Sequence, residues 1–217
     1  EKGGYTSHAA IMARAMEIPA VLGMENILNE VSPDDYLIID GESGEVFINP
    51  SPAEIEKYKG ILIEQENVKK ELQVYKDRPA QTKDGVKTLL FANIGGMEEL
   101  EAVLQNGAEG IGLFRTEFLF MDRTSLPSED EQFEVYKAVA EKMDGKPVII
   151  RTMDIGGDKE LDYLSLTKEE NPFLGFRGIR MCLDMIDVFK VQLRAILRAS
   201  AYGDIKIMLP MISRIDE

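Results

Sequence analysis

From Lys87 onward, near-continuous apolar runs alternate with stretches of helical spacing, and this alternation limits the possible folds more than any other feature of the chain. The runs are TLLFANIG at 88–95, GIGLFRTE at 110–117, PVIIRTMD at 147–154 and KIMLPMI at 206–212. Strands this apolar on both sides belong to a parallel sheet whose two faces are covered. Between them MEELEAVLQNG, EQFEVYKAVAEKM and DVFKVQLRAILRASAYG carry apolar residues at intervals of three and four, the signature of amphipathic helices. Four such βα-type repeats amount to half of a (βα)8 barrel, which typically needs about 250 residues. The expectation is therefore an α/β chain whose barrel half stops at Glu217, where a fifth unit should begin.

The first fifty residues follow a different pattern. Ala9, Ala10, Ile11, Ala13 and Met16 favour a short helix from Thr6 to about Glu17, with Thr6 or Ser7 as its N-cap and Pro19 beyond its end. PAVLG at 19–23 reads as a short strand, and YLIID at 36–40 with EVFIN at 45–49 reads as a hairpin around GESG. This unit looks cut off on its N-terminal side. Between Pro52 and Pro79, Ile55, Tyr58, Ile61, Leu62, Val68, Leu72 and Tyr75 recur at helical spacing and predict one amphipathic helix over 52–76. A helix of about 25 residues reaches roughly 37 Å, long enough for a stalk between domains, the alternative being a helix packed flat on one of them.

Composition removes several function classes. With 217 residues, 44% of them hydrophobic, the chain can bury a sizeable core. No apolar run approaches the roughly 20 residues that span a bilayer, so no membrane insertion is expected. A net charge of −14 and a pI near 4.6 argue against nucleic acid as a partner. Residues 1–50 hold nine acids against two bases, a charge density that could steer a basic protein partner or simply keep the chain soluble. One cysteine, Cys182, rules out an internal disulfide and suits a reducing cytoplasm; its apolar context, IRMCLDM, points to a buried structural role.

Two groups of residues could carry chemistry. His8 is the sole histidine and stands just inside a predicted helix start behind GGYTS, where amide donors and the positive end of the dipole favour an anion. Gly3 and Gly4 permit close backbone approach, and Thr6 or Ser7 adds a hydroxyl donor, so a phosphoryl group carried on His8 would be stabilised. The plainer alternative is a surface or capping histidine. The second group comprises Arg115 and Arg151, each closing an apolar strand, followed by Lys159 and by Arg177 and Arg180 in NPFLGFRGIR. Converging guanidinium groups bind phosphate or carboxylate in bidentate fashion. Alternatively each pairs with a nearby acid such as Glu117 or Asp154. The pairs Gly95/Gly96 and Gly156/Gly157 follow strands and read as turns or ligand-lining backbone. Neither fits a nucleotide-binding loop, and one histidine without paired carboxylates offers no obvious metal cage.

GGYTSHAAIMARAMEIPAVLG, GIGLFRTEFLFMDR, VIIRTMDIGGDKEL and EENPFLGFRGIR together resemble the enzyme I family of bacterial phosphoenolpyruvate:sugar phosphotransferase systems, over essentially the whole chain. The histidine segment alone is shared with pyruvate phosphate dikinase and phosphoenolpyruvate synthase; RTMDIGGDKEL favours enzyme I. The resemblance implies three parts: residues 1–50 as the C-terminal part of a swivelling phosphohistidine domain, 51–78 as a linker helix, and 79–217 as the N-terminal half of a phosphoenolpyruvate-binding (βα)8 barrel. It implies that His8 takes the phosphoryl group of phosphoenolpyruvate and passes it to the carrier protein HPr, with Gly4, Thr6 and Ser7 supporting the phosphohistidine. Arg115, Arg151, Arg177 and Lys159 would surround the substrate. Magnesium is implied as cofactor, with its ligands outside this chain, as is a homodimer of the whole protein. Two alternatives remain open at this point: a nucleotide-coupled phosphoenolpyruvate-utilising enzyme, and a non-catalytic regulatory module.

Overall fold

The computed structural model describes residues 10, 13, 18–121, 123–155, 163, 171 and 174–217. The chain divides into two compact units, Glu1–Tyr75 and Lys76–Glu217.

In the first unit a short helix α1 (Ile27–Glu30) precedes an antiparallel hairpin of β1 (Leu37–Asp40) and β2 (Glu45–Ile48), in the register Leu37 to Ile48 and Asp40 to Glu45. The predicted turn is held by Asp40, whose Oδ1 accepts from the amides of Glu42 (2.9 Å) and Ser43 (3.2 Å). Those bonds, the Ser43 amide foremost, hold the Asp40 carboxyl below its ordinary range. Helix α2 (Pro52–Gln73) begins as the sequence requires: the Ser51 hydroxyl accepts from the Glu54 amide, the Glu54 carboxylate accepts from the Ser51 amide, and Pro52 fills the first helical position. Tyr58 lays its ring 5.4 Å from that of Phe47 and donates to Asp40 Oδ2 at 3.3 Å, so the start of the helix rests on the hairpin. Ile55 and Ile61 are half-buried, whereas Leu62, Val68 and Leu72 stay exposed; the amphipathic stripe is covered only near its beginning. The strand expected at 19–23 does not form among the described residues. Its apolar residues join no ladder among the described residues, and they run past the hairpin turn, where a side chain at Gly41 would lie 3.4 Å from the Ala20 amide nitrogen. The helix expected over 6–17 lies, apart from Ala10 and Ala13, outside the described residues.

The second unit is a parallel sheet of β3 (Phe91–Ile94), β4 (Gly110–Arg115), β5 (Val148–Arg151) and β6 (Ile205–Met208), lying side by side in chain order. Helices α3 (Leu100–Gln105), α4 (Glu129–Lys142), α5 (Ile179–Asp184) and α6 (Ile186–Ala199) fill the connections, and α4 packs on α6. Ile94, Ile111, Phe114, Val148 and Ile150 meet Leu100, Tyr136, Val139, Ala195 and Ile196 in one core. Ile111 and Phe114 reach the same face, although three residues apart, because the ladder is irregular between them. Gly110 permits the close packing of β3 on β4, since a Cβ there would stand 2.8 Å from the Phe91 ring and from the Pro147 carbonyl. Along β5 burial alternates, Val148 and Ile150 inside and Ile149 half-buried, and Ile207 on β6 is 38% exposed. The sheet was expected to be covered on both faces; among the described residues only one face is. No helix of the described residues is long and apolar enough to cross a membrane.

Helix α4 starts with a second reciprocal cap, Ser128 with Glu131, and Glu131 also pairs with Arg123. Hydrogen bonding from Arg123, followed by that from the Ser128 amide, holds the Glu131 carboxyl at about 2 against an ordinary 4.5. A folded value below the unfolded one makes this contribution complete above about 4.5 and lost as the pH falls towards 2. Glu131→Gln should therefore flatten the acid limb of the stability–pH curve followed by circular dichroism, and an acid limb identical to wild type would contradict the pairing. Ser128→Ala should cost roughly 1 kcal/mol in urea unfolding at neutral pH.

Candidate functional site

The register of the sheet sets Arg115 directly beside Arg151, each the last residue of its strand. Both therefore rise at the C-terminal edge of a parallel sheet, where α/β folds build their sites. Immediately beyond Arg115 the chain tightens into a 3-10 turn, Thr116–Leu119, which carries Glu117 inward until it is fully buried. Beyond Arg151 the chain leaves the ladder through Thr152 and Met153 to Asp154, which is also buried.

These two carboxylates organise the arginines. Arg151 spans them, with Nη2 3.0 Å from Glu117 Oε1 and Nη1 3.1 Å from Asp154 Oδ2. Arg177 donates from Nε to Asp154 Oδ1 at 3.1 Å, and the Asp154 amide donates to Glu117 Oε1, also at 3.1 Å. The result is a chain running Glu117, Arg151, Asp154, Arg177, with the Arg151 and Arg177 side chains 16% and 10% exposed. Arg177 is delivered by a tight turn, its amide bonding to the Gly175 carbonyl, and then by Gly178 at φ 58°, a conformation in which a side chain is strained. A Cβ at Gly178 would also meet Met211 and the Pro210 carbonyl at 3.0 to 3.1 Å.

Arg115 differs from the other two. It has no carboxylate partner among the described residues, its buried Nε has no hydrogen-bond partner there, and its guanidinium lies 5.4 Å from the centre of the Phe118 ring. Gly95, at the end of β3, makes room for that ring, since a Cβ would stand 2.8 Å from it. Among the described residues three guanidinium groups stand with two carboxylates, and Arg115 is the one without a described acid partner. The arrangement can attract an anion and offer it N–H donors already fixed in direction.

Of the residues singled out in the sequence, Arg115, Arg151 and Arg177 are brought together by the shared strand edge and by Asp154. Arg180 is not part of the cluster: it donates to the carbonyls of Leu174 (2.7 Å) and Gly175 (2.8 Å) and pairs with Glu217, fastening the loop ahead of Arg177. Cys182 is fully buried, as expected, and burial, with Asp154 adding to it, pushes its thiol up to about 12, far from a nucleophile. His8, Gly4, Thr6, Ser7 and Lys159 lie outside the described residues. The sequence reading missed Thr116 and Gln192, buried polar residues behind the strand ends. Gln192 had a legible signal, a polar residue on the apolar stripe marked by Phe189, Ile196 and Ala199.

Comparison with known families gives this site a context. Residues 69–217 match the PEP-utilising enzyme, PEP-binding domain, and residues 1–44 match the PEP-utilising enzyme, mobile domain. The chain belongs to the PEP-utilising enzymes, PEP being phosphoenolpyruvate. Among these it is similar to curated proteins named phosphoenolpyruvate-protein phosphotransferase: 56% identical to that of Geobacillus stearothermophilus, 54% to that of Latilactobacillus sakei and 53% to that of Priestia megaterium. Each match runs over 215 residues, 99% of this chain but only 37% to 38% of the relative, so the chain spans a little over a third of their length.

The charge arrangement makes a testable distinction. Arg151→Ala takes the guanidinium from between two buried carboxylates, leaving Asp154 with Arg177 alone among its described charged partners, and should destabilise the second unit by about 3 kcal/mol in urea unfolding. Arg115→Ala removes a charge that has no carboxylate partner among the described residues and should cost under about 1 kcal/mol. Equal losses in the two variants would contradict the assignment of partners.

Proposed function

We propose that this chain is the middle part of an enzyme that moves the phosphoryl group of phosphoenolpyruvate first to His8 and then to the carrier protein HPr, opening a bacterial sugar phosphotransferase sequence. The reading is supported by the names of its relatives and by one observation above all: the paired and fixed guanidinium groups at the sheet edge, with Arg115 meeting no acid among the described residues. A phosphate monoester dianion carries the charge and the lone pairs that such a cluster lacks. Arg115 takes the anion, while Arg151 and Arg177, clamped from below by Glu117 and Asp154, present their donors without having to reorganise. In this reading Lys159 contributes a further positive charge. Phosphorus is attacked in line by the imidazole of His8, the bond to the enol oxygen breaks, and the enolate goes on to take a proton as pyruvate.

The division of labour follows the resemblance. Residues 1–50 are the C-terminal part of the swivelling phosphohistidine domain, with Gly4, Thr6 and Ser7 supporting phosphorylated His8; residues 51–78 are the linker helix; residues 79–217 are the first half of a (βα)8 barrel. The chain-order arrangement of four parallel strands supports the last assignment. The whole enzyme is taken to be a cytoplasmic homodimer. Magnesium is expected from the resemblance, but the donor set here does not fit it. Both site carboxylates are taken by guanidinium groups, and among the described residues no group of three or more His, Cys, Asp or Glu side chains could hold a metal ion. The ion's ligands are assigned to residues outside this chain, and no step here runs through it.

With half of the substrate site elsewhere, the 217-residue chain alone should leave His8 unlabelled when incubated with labelled phosphoenolpyruvate and magnesium; rapid stoichiometric labelling would refute the division. In the intact enzyme His8→Ala should abolish label transfer to HPr, and Arg115→Ala should slow His8 labelling by roughly two orders of magnitude. Undiminished transfer in the His8 variant would overturn the reading.

A further inference from the structure

A parallel strand directs its amide and carbonyl groups alternately to its two neighbours. On β5 the Thr152 amide turns to β6 and bonds the Met208 carbonyl at 3.0 Å. The Arg151 carbonyl and the Met153 amide on either side of it therefore turn towards β4. By that height β4 has already left the sheet in its 3-10 turn and offers no backbone partner. Two side chains replace it. The Thr116 hydroxyl donates to the Arg151 carbonyl at 2.8 Å, and Gln192 Oε1 accepts from the Met153 amide at 2.9 Å.

Gln192 also joins these two replacements to each other. Its Nε2 donates to Thr116 Oγ1 at 3.1 Å and to the Tyr136 hydroxyl at 3.3 Å, and Tyr136 donates onward to Gln132 Oε1 at 3.2 Å. Gln192 itself is 1% exposed and Thr116 fully buried, so an unmet bond here would be costly. The directions are fixed. An amide N–H can only donate, which sets Oε1 toward Met153; the Thr116 proton is committed to Arg151, which leaves Thr116 Oγ1 to accept from Gln192.

We propose that Gln192, on a helix outside the site, is a positioning residue for it: its amide continues the ladder where β4 departs and so fixes the separation of the Arg115 and Arg151 strand ends. This rests on the phosphoenolpyruvate reading of the site. Gln192→Glu keeps the volume but turns the donor into an acceptor, drawing the Thr116 proton away from the Arg151 carbonyl. Tyr136→Phe removes the arm that runs to Gln132, away from the site.

The test uses the intact enzyme and phosphoenolpyruvate itself, reading its affinity and KM, the melting temperature, and hydrogen exchange at the Met153 amide. Gln192→Glu should weaken phosphoenolpyruvate binding about tenfold and speed Met153 exchange. Tyr136→Phe should lower the melting temperature while leaving the affinity in place. Thr116→Val, which cuts the same tie without adding charge, should shift affinity in the same direction as Gln192→Glu, and it serves if that variant does not fold. Affinity unchanged in both site-side variants, or reduced equally by Tyr136→Phe, would overturn the proposal. Should the wild type bind no phosphoenolpyruvate, the functional reading falls, and the tie itself is then judged by Met153 exchange: faster in Gln192→Glu if it exists, unchanged if it does not.

Discussion

Burying a guanidinium group is costly unless a carboxylate meets it, and the site is organised around that requirement. Glu117 and Asp154 lie between and beneath the arginines, so that Arg151 is gripped at both terminal nitrogens and Arg177 at Nε. The local backbone can be understood as what delivers these two acids. A 3-10 turn directly after β4 sinks Glu117, the departure of β5 from the ladder lowers Asp154, and Gly178 allows the bend that follows Arg177. Such pairs contribute little net stability, but breaking one strands a buried charge. Their value lies in holding side chains that are otherwise long and flexible in a single direction.

That rigidity depends on the sheet behind it. Parallel strands in chain order put Arg115 and Arg151 side by side at one edge, and the core of Ile94, Ile111, Phe114, Val148 and Ile150 holds the strands at a common height. Where the backbone ladder stops, side chains continue it: Thr116 and Gln192 bond the Arg151 carbonyl and the Met153 amide. Charge and geometry then work together. Two carboxylates neutralise two arginines, and the charge of Arg115, with no acid partner among the described residues, is left to attract an anion into donors that are already oriented.

Much of this is legible in the sequence. The four apolar runs fall on β3 to β6, GESG is a hairpin turn, and the apolar spacing after Pro52 marks a helix, because each depends on nearest-neighbour chemistry. Arg115 and Arg151 were legible as a pair because they end strands, and Glu117 and Asp154 were weighed as partners of the arginines. Less legible was anything that depends on distant neighbours. PAVLG has strand composition but joins no ladder among the described residues, and the apolar stripe of α2 predicts a covering that, of its residues, Ile55, Tyr58 and Ile61 receive. Strand composition likewise implied two covered faces, while Ile149 and Ile207 remain partly open. Gln192 escaped notice because a single polar residue on an apolar stripe gains meaning only when its partners, 39 and 76 residues away, are in place.

The central claim is that the arginine cluster, already braced by Glu117 and Asp154, receives the phosphate of phosphoenolpyruvate. A crystal structure of the intact enzyme with phosphoenolpyruvate bound tests it most directly. The account predicts phosphate oxygens within hydrogen-bonding distance of the Arg115 and Arg151 guanidinium groups, with the Arg151 pairs to Glu117 and Asp154 still closed. A phosphate bound away from these arginines, or one that displaces both carboxylates from Arg151, would contradict it.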